Sequence, residues 1–279
     1  MRPAFVERLS RPPAPALRPF VTKVWAIDDT DAPPRPPVRE RVLPTGEMHL
    51  VVRLTEGPVQ LYPRPDALAP HDVGLATVSG MRSTAYVKVA APVRSVGVQL
   101  HPGVSPLLLG APADELAGRH WVLEDLWGAT AVRMRERLLD AGSLARQLDL
   151  FEVMLASRLP RIHALHPAVA LALGRLGAGV PVAEVVRETG RSHRSFIALF
   201  RQAMGLSPKL YCRVQRFQRV IRRMMAEPAA AWSDVALDAG YSDQPHLVRE
   251  FRDLAGLTPG AYRALALRGH HVAAPAPAR

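Results

Sequence analysis

The sequence predicts an α+β protein in two parts. One is a small N-terminal β-barrel with accompanying helices. The other is a C-terminal all-α domain of two helix-turn-helix motifs joined by a long helix. Three observations carry this expectation. Short alternating apolar runs punctuated by Gly and Pro fill about residues 20–103. The periodicity then turns helical over about 112–158. Near the C-terminus one skeleton is written twice, as GRSHRSFIALFRQAMGLSPKLYCR from Gly190 and as GYSDQPHLVREFRDLAGLTPGAYR from Gly240.

In the N-terminal part, FVTKVWAID reads as a first strand between proline-rich flanks that read as extended chain or loop. In RVLPTGEMHLVVRL, Met48, Leu50, Val52 and Leu54 fall on one face and Glu47, His49, Val51 and Arg53 on the other. That alternation predicts a half-buried strand, with TEGP as the turn into VQLYP. DVGLATVSG, AYVKVA and VRSVGVQL extend the pattern. In the helical stretch Leu126, Ala129, Val132, Leu138 and Leu139 predict one apolar stripe. Leu148, Phe151, Met154 and Leu155 predict another, which either dimerises or packs on the barrel. The expected division is an N-terminal domain over 1–160, a C-terminal helical domain over 161–268 and a disordered tail over 269–279.

Composition narrows the function. The 279 residues are 48% hydrophobic, which suffices for two cored domains. No run of eighteen uncharged apolar residues occurs, so no membrane span is predicted. MRPAFVERLSRPP lacks the apolar core of a signal peptide, and a cytoplasmic location is the expectation. The single cysteine, Cys212, excludes an intramolecular disulfide and a cysteine-rich zinc site. It also excludes a DNA-repair alkyl-transfer enzyme, which needs a cluster of cysteines. No Gly-x-Ser-x-Gly elbow or phosphate-cradling glycine loop appears, so no catalysis and no cofactor are expected. The net charge is +11, and residues 161–268 hold sixteen Arg/Lys against eight Asp/Glu. A basic module of this kind predicts a polyanionic partner.

Each copy of the repeat reads as two short helices around a glycine turn. Ser192 and Ser242 are the expected caps of the second helices. Phe196, Leu199 and Phe200 form the core face of one, and Leu247, Val248 and Phe251 that of the other. GLSPKLY and GLTPGAY then end each unit with a glycine, a capping hydroxyl and a first-turn proline. Between the units, Val214, Phe217, Val220, Ile221 and Met224 follow helical spacing, with arginines at the intervening positions.

The second copy, ALDAGYSDQPHLVREFRDLAGLTPGAYR, resembles the signature of the AraC/XylS family of transcription regulators. Both units match over roughly 165–268. Their spacing differs by one residue, ten steps from Gly190 to Phe200 and eleven from Gly240 to Phe251, as in the family. The resemblance implies sequence-specific binding of double-stranded DNA, with each second helix in one of two successive major grooves. By that docking geometry the base-contact candidates are His193, Arg194, Ile197 and Ala198 in the first unit. In the second they are Gln244, Pro245, His246 and Arg249. The family tends to be polar where Ile197 and Ala198 stand, so the first unit is expected to read thymine methyls or to specify less. Arg201, Lys209, Arg216, Arg219 and Arg252 are the phosphate candidates. Glu250, beside Arg249, is a carboxylate that would hold that arginine off the DNA.

LPTGEMHLVVRL, APVRSVGVQLHPG and LEDLWG resemble the β-barrel sensor domain of one subgroup of these regulators. That implies a small-molecule effector, for which His49, Arg53, Arg82 and Gln99 are the candidate lining. His49, His71 and His101 lack the spacing of a metal motif, so no metal is expected. Further expected partners are a second copy of the chain and, for an activator, RNA polymerase. The alternative is a DNA-binding regulator whose N-terminal domain only dimerises.

Overall fold

A computed structural model of the chain describes residues 7–31, 37–160, 165–265 and 270–274. The N-terminal part carries β1 (Glu7–Arg11), β2 (Val21–Asp28), β3 (Val38–Val42), β4 (Met48–Arg53), β5 (Val59–Tyr62), β6 (His71–Gly74), β7 (Ala76–Ser79), β8 (Tyr86–Ala90) and β9 (Arg94–Leu100). Next come the short helices α1 (Ser105–Leu108) and α2 (Ala113–Leu116), strand β10 (His120–Val122) and helix α3 (Leu123–Trp127). Helices α4 (Ala129–Asp140) and α5 (Leu144–Ala156) complete this part. The C-terminal part is α6 (Pro167–Gly177), α7 (Val182–Glu188), α8 (His193–Met204), α9 (Pro208–Ala226), α10 (Trp232–Ala239), α11 (Gln244–Ala255), α12 (Pro259–Ala264) and a last strand, β11 (His271–Ala273).

Among the described residues the strands form two antiparallel sheets, in the orders β1-β2-β9-β4-β7-β10 and β11-β3-β8-β5-β6. Alternation sets what each face of the first sheet meets. Val24 and Ala26 of β2, Leu50 and Val52 of β4, and Val96 and Val98 of β9 are buried in one core with Leu148, Phe151 and Leu155 of α5. The opposite faces bring Trp25, His49, Val51 and Gln99 to a hollow of about 450 Å³ shared with the second sheet. Gly97 is paired with Trp25 across the strands, and a Cβ there would fall 2.2 Å from the indole. The glycine lets that ring lie flat on the sheet.

Several expectations are corrected. His120–Val122 lies within the stretch read as helical, yet it is a strand paired with Thr77–Ser79. The α4 stripe is Ala131, Met134 and Leu138, while Val132 and Leu139 face outward at 45% and 39% exposure. The helix begins at Ala129, and its rotation places those two on the far side. Leu148, Phe151 and Leu155 are fully buried and unavailable for dimerisation. β3 forms at the end of a flank read as extended chain or loop. The tail read as disordered holds β11, which pairs with β3 from His271↔Val42 to Ala273↔Glu40. The buried Val272 anchors it. Residues 275–279 lie outside the described residues.

The cores draw on both parts of the chain. One runs from Leu17 through the barrel and its helices to Phe196, Phe200 and Val214. The other holds Phe217, Ile221, Phe251 and Tyr262 together with Leu43 and Val272.

Candidate nucleic-acid interface

Each half of the repeat builds its second helix by the same local chemistry. Ser192 accepts the Ser195 amide (3.3 Å), so α8 starts at His193. In the second unit the cap is Asp243, not Ser242 as expected. Its carboxylate accepts the His246 amide at 2.7 Å. An ionised carboxylate outcompetes a hydroxyl for the free amides at a helix start. Ser242 instead bonds Asp243 (3.2 Å) and contacts His246 Nδ1 (3.1 Å). Ser207 and Thr258 cap α9 and α12, each with proline at the next position.

The first turns of α8 and α11 are open to solvent. His193, Arg194 and Ala198 are exposed in the first unit, and Gln244, Pro245 and Arg249 in the second. Ile197 is half-buried against the core that holds Phe196 and Phe200. His246 is half-buried too, edge-on to Tyr241 at 5.2 Å. Arg201, Arg252 and Lys209 are exposed.

The arginines of α9 behave differently. Glu250 is buried at 5% exposure and faces α9, not Arg249. It receives Arg213 Nε at 2.9 Å and Arg216 Nη2 at 2.9 Å. Arg216 also lies over the Tyr241 ring, 5.2 Å from its centre. Arg219 donates to the carbonyls of Ala239 (3.2 Å) and Gly177 (3.3 Å). Arg216 and Arg219 are therefore structural cross-links between α9 and its neighbours, in place of the free phosphate ligands expected. Glu250 was expected to restrain Arg249; facing inward, it leaves Arg249 free. The two heads flank a cleft of about 780 Å³ whose walls include Lys209, Arg213, Arg216, Arg219, His246 and Arg249. Its charge is predominantly positive, with Glu250 and Asp253 as the acids.

Both recognition helices are gripped at their C-terminal ends by the N-terminal part. Gly205 ends α8 at φ +78°, and a Cβ there would lie 2.8 Å from the Ala113 carbonyl of α2. Gly256 ends α11 at φ +67°, where the Arg41 guanidinium donates to the carbonyls of Ala255 (2.9 Å) and Gly256. The Ala85 amide bonds the Leu254 carbonyl at 2.7 Å. Arg41 thus satisfies carbonyls that the helix leaves unpaired and places a cation at the negative end of its dipole.

The four residues expected to line one effector pocket fall in three adjoining hollows. His49 and Gln99 line the hollow between the sheets, with Lys88, Tyr86, His120 and His270. Arg53 lines a neighbouring hollow of about 700 Å³ with Asp29, Glu40 and Lys88. Arg82 sits at the rim of a third, of about 470 Å³. Burial holds His49 down to about 4, and burial with the neighbouring Arg82 and Lys88 charges holds His120 at about 3. His270 is held at about 4 by burial and by His271 and Arg222. Sequence reasoning missed His120, His270 and His271, because their strands pair with partners far away in the chain. Among the described residues no three His, Cys, Asp or Glu side chains converge as metal ligands. His49, His71 and His101 stay separate. No helix among the described residues is long and apolar enough to cross a membrane.

Two helix pairs, each with a capped second helix that exposes polar and basic side chains along its N-terminal half, joined by one long helix, define a DNA-binding protein of the helix-turn-helix class. Residues 185–265 match the family model described as "Helix-turn-helix domain". This C-terminal domain is AraC-type, and with it the chain is a DNA-binding regulator. Residues 9–121 match a second family model, "Domain of unknown function (DUF6597)". No curated protein matches the chain. Among solved structures the chain is similar to ToxT from Vibrio cholerae O395 bound to (E)-4-(8-methylnaphthalen-1-yl)but-3-enoic acid. The identity is 9%, 82% of this chain and 97% of that one are covered, and the TM-score is 0.47. A second structure of ToxT from Vibrio cholerae O395 is similar at 10% identity, with 84% and 97% covered and a TM-score of 0.44.

Proposed function

We propose that the chain reads a specific DNA sequence with both heads in successive major grooves, and that its N-terminal part senses a small molecule. The division is a sensor over 1–160 and a DNA-binding domain over 161–268. Arg249 and Gln244 read purine edges from the second head, with Pro245 against a thymine methyl and His246 at the margin. Arg194 and His193 read from the first head, where Ala198 and the edge of Ile197 offer only apolar contact. Arg201, Lys209 and Arg252 hold phosphates and set the register. Arg216 and Arg219 fix the angle of the rod between the heads.

The hollow lined by His49 and Gln99 supports sensing over dimerisation alone. The protein performs no catalysis, works in the cytoplasm and pairs with a second copy; if it activates transcription, it touches RNA polymerase. One observation carries the DNA reading: two capped helices expose polar and basic side chains along their N-terminal halves while their apolar faces are buried.

The test is an electrophoretic shift assay on a site selected from bound genomic fragments. Arg249→Ala is expected to weaken specific binding by about 1–3 kcal/mol and to relax base choice at one position. Arg252→Ala is expected to weaken all sites alike. Unchanged discrimination in the first variant would count against the assignment.

A further inference from the structure

The third hollow opens at one end of the barrel, between β5, β6, β8 and the chain entering β10. Its lining carries Arg64, Arg82, Arg119, His71 and His120 and not one Asp or Glu. Arg64 is engaged outside it by the exposed Asp66, at 3.6 Å. Arg82 is the unusual member. Its guanidinium lies over the Tyr86 ring at 4.7 Å, and its Nη2 is 3.0 Å from His120 Nδ1. Its Nε is buried without a partner. Among the described residues no carboxylate stands within ion-pair distance of it. A guanidinium does not lose its proton in a protein, so it keeps its charge under burial. A half-buried permanent cation with no internal counter-charge is costly unless an anion reaches it from outside.

The surroundings suit an anion carried on a flat apolar body. Tyr62, Pro63, Pro65 and Val73 form the walls beside Tyr86. One lip is fixed in advance. Arg39 stacks on Tyr62 at 3.7 Å and donates to the carbonyls of Ala67 (2.9 Å) and Pro65 (2.6 Å). The volume, about 470 Å³, falls in the range of small-molecule sites. Neutral His120 accepts from Arg82 and aims the guanidinium, and its ring is shared with the hollow between the sheets.

We infer that this mouth binds a small organic anion, a carboxylate or a phosphate ester on an aromatic body, with Arg82 as the residue that takes the charged head. The inference rests on the sensing part of the function proposed above and names its ligand class. A ligand held there touches Tyr86 and Ala85, and the Ala85 amide bonds the end of recognition helix α11. The site therefore has a short mechanical path to DNA binding.

The experiment is titration calorimetry on the full-length protein with benzoate, phenyl phosphate and neutral benzamide, at matched ionic strength in chloride. One of the two anions is expected to bind at least tenfold more tightly than benzamide, and which one does so separates carboxylate from phosphate. Arg82→Met is expected to weaken that anion at least tenfold. Arg119→Gln at the exposed rim should weaken it about threefold, and it supplies the test where Arg82→Met does not fold. Arg249→Ala, on the DNA face, should leave it unchanged. Equal binding of benzamide, silence from both anions, retention in both rim variants, or loss in Arg249→Ala overturns the inference. Operator binding is measured separately. Intact DNA binding with silent anions overturns only this site, and anion binding without DNA binding overturns only the regulator reading.

Discussion

The two helix-turn-helix units share a skeleton but are anchored differently. The first is continuous with the barrel: Phe196, Phe200 and Met204 lie in the same core as the six-stranded sheet and α5. The second has its own core around Phe217, Phe251 and Tyr262, to which the barrel contributes Leu43 and the tail Val272. The first unit meets the N-terminal part backbone to backbone, Gly205 against the Ala113 carbonyl. The second meets it through the Arg41 side chain at Gly256 and through one backbone bond, from the Ala85 amide to the Leu254 carbonyl. The second unit also buries a carboxylate, Glu250, where the equivalent helix of the first has Leu199. The lesson is that a sequence repeat specifies a unit's internal folding, while its attachment is set by the face that happens to meet a neighbour. At the end of its second helix the first head abuts an immovable backbone carbonyl, whereas the second meets a side chain that can swing aside.

The largest test of this contrast is Glu250→Ala. It strips Arg213 and Arg216 of their shared partner and leaves a gap between α9 and α11. Both arginines are near 30% exposed and recover some hydration, so the expected loss is about 2–3 kcal/mol, below the full cost of breaking a buried pair. Urea unfolding of the full chain measures it, and an unchanged midpoint would show the pair to be ornamental. Next comes the glycine comparison. Gly205→Ala must absorb both a positive φ and a contact with an immovable carbonyl, at about 2 kcal/mol. Gly256→Ala meets only the tip of Arg41, which can swing aside, so about 1 kcal/mol is expected. Equal losses would erase the distinction between rigid and yielding anchorage.

A separate test, of the barrel alone, is in pH. His49, His120 and His270 are held at about 4, 3 and 4, below the usual histidine value. The unfolded chain binds more protons than the folded one below about pH 6.5, so their contribution is lost as pH falls from there toward 4. Glu47 acts oppositely. Burial raises it to about 7, so its contribution is fully present below its unfolded value and is lost as pH rises through 7. Melting curves at pH 5 and 7.5 should show net destabilisation at pH 5. His49→Gln should flatten the slope and Glu47→Gln should steepen it. An acid sensitivity untouched by His49→Gln would place its origin outside His49.

How much of this was legible in the sequence depends on the range of each signal. The caps at Ser192, Ser207 and Thr258, the glycine turns and the alternation through Met48, Leu50 and Val52 are local chemistry, and local chemistry reads directly. The shift of the cap from Ser242 to Asp243 turned on a choice between adjacent residues that only the helix start decides. Glu250 was read beside its chain neighbour Arg249. Its partners Arg213 and Arg216 stand 37 and 34 residues away, a separation that no periodicity reveals. The pairing of β3 with β11 spans almost the whole chain and was hidden for the same reason. The base-reading positions were placed by analogy with known docking. The structure adds that six of the eight are exposed, with Ile197 and His246 turned partly inward.

The outermost strand of the second sheet, β11, follows every helix of the C-terminal part in the chain, while its partner β3 precedes them all. Synthesis from the N-terminus therefore leaves that edge bare until all of those helices have been made, and only then do His270 and His271 close the wall of the inter-sheet hollow. The order of the chain thus laces the two parts together: neither the sheet nor the hollow is finished ahead of the helices threaded between them.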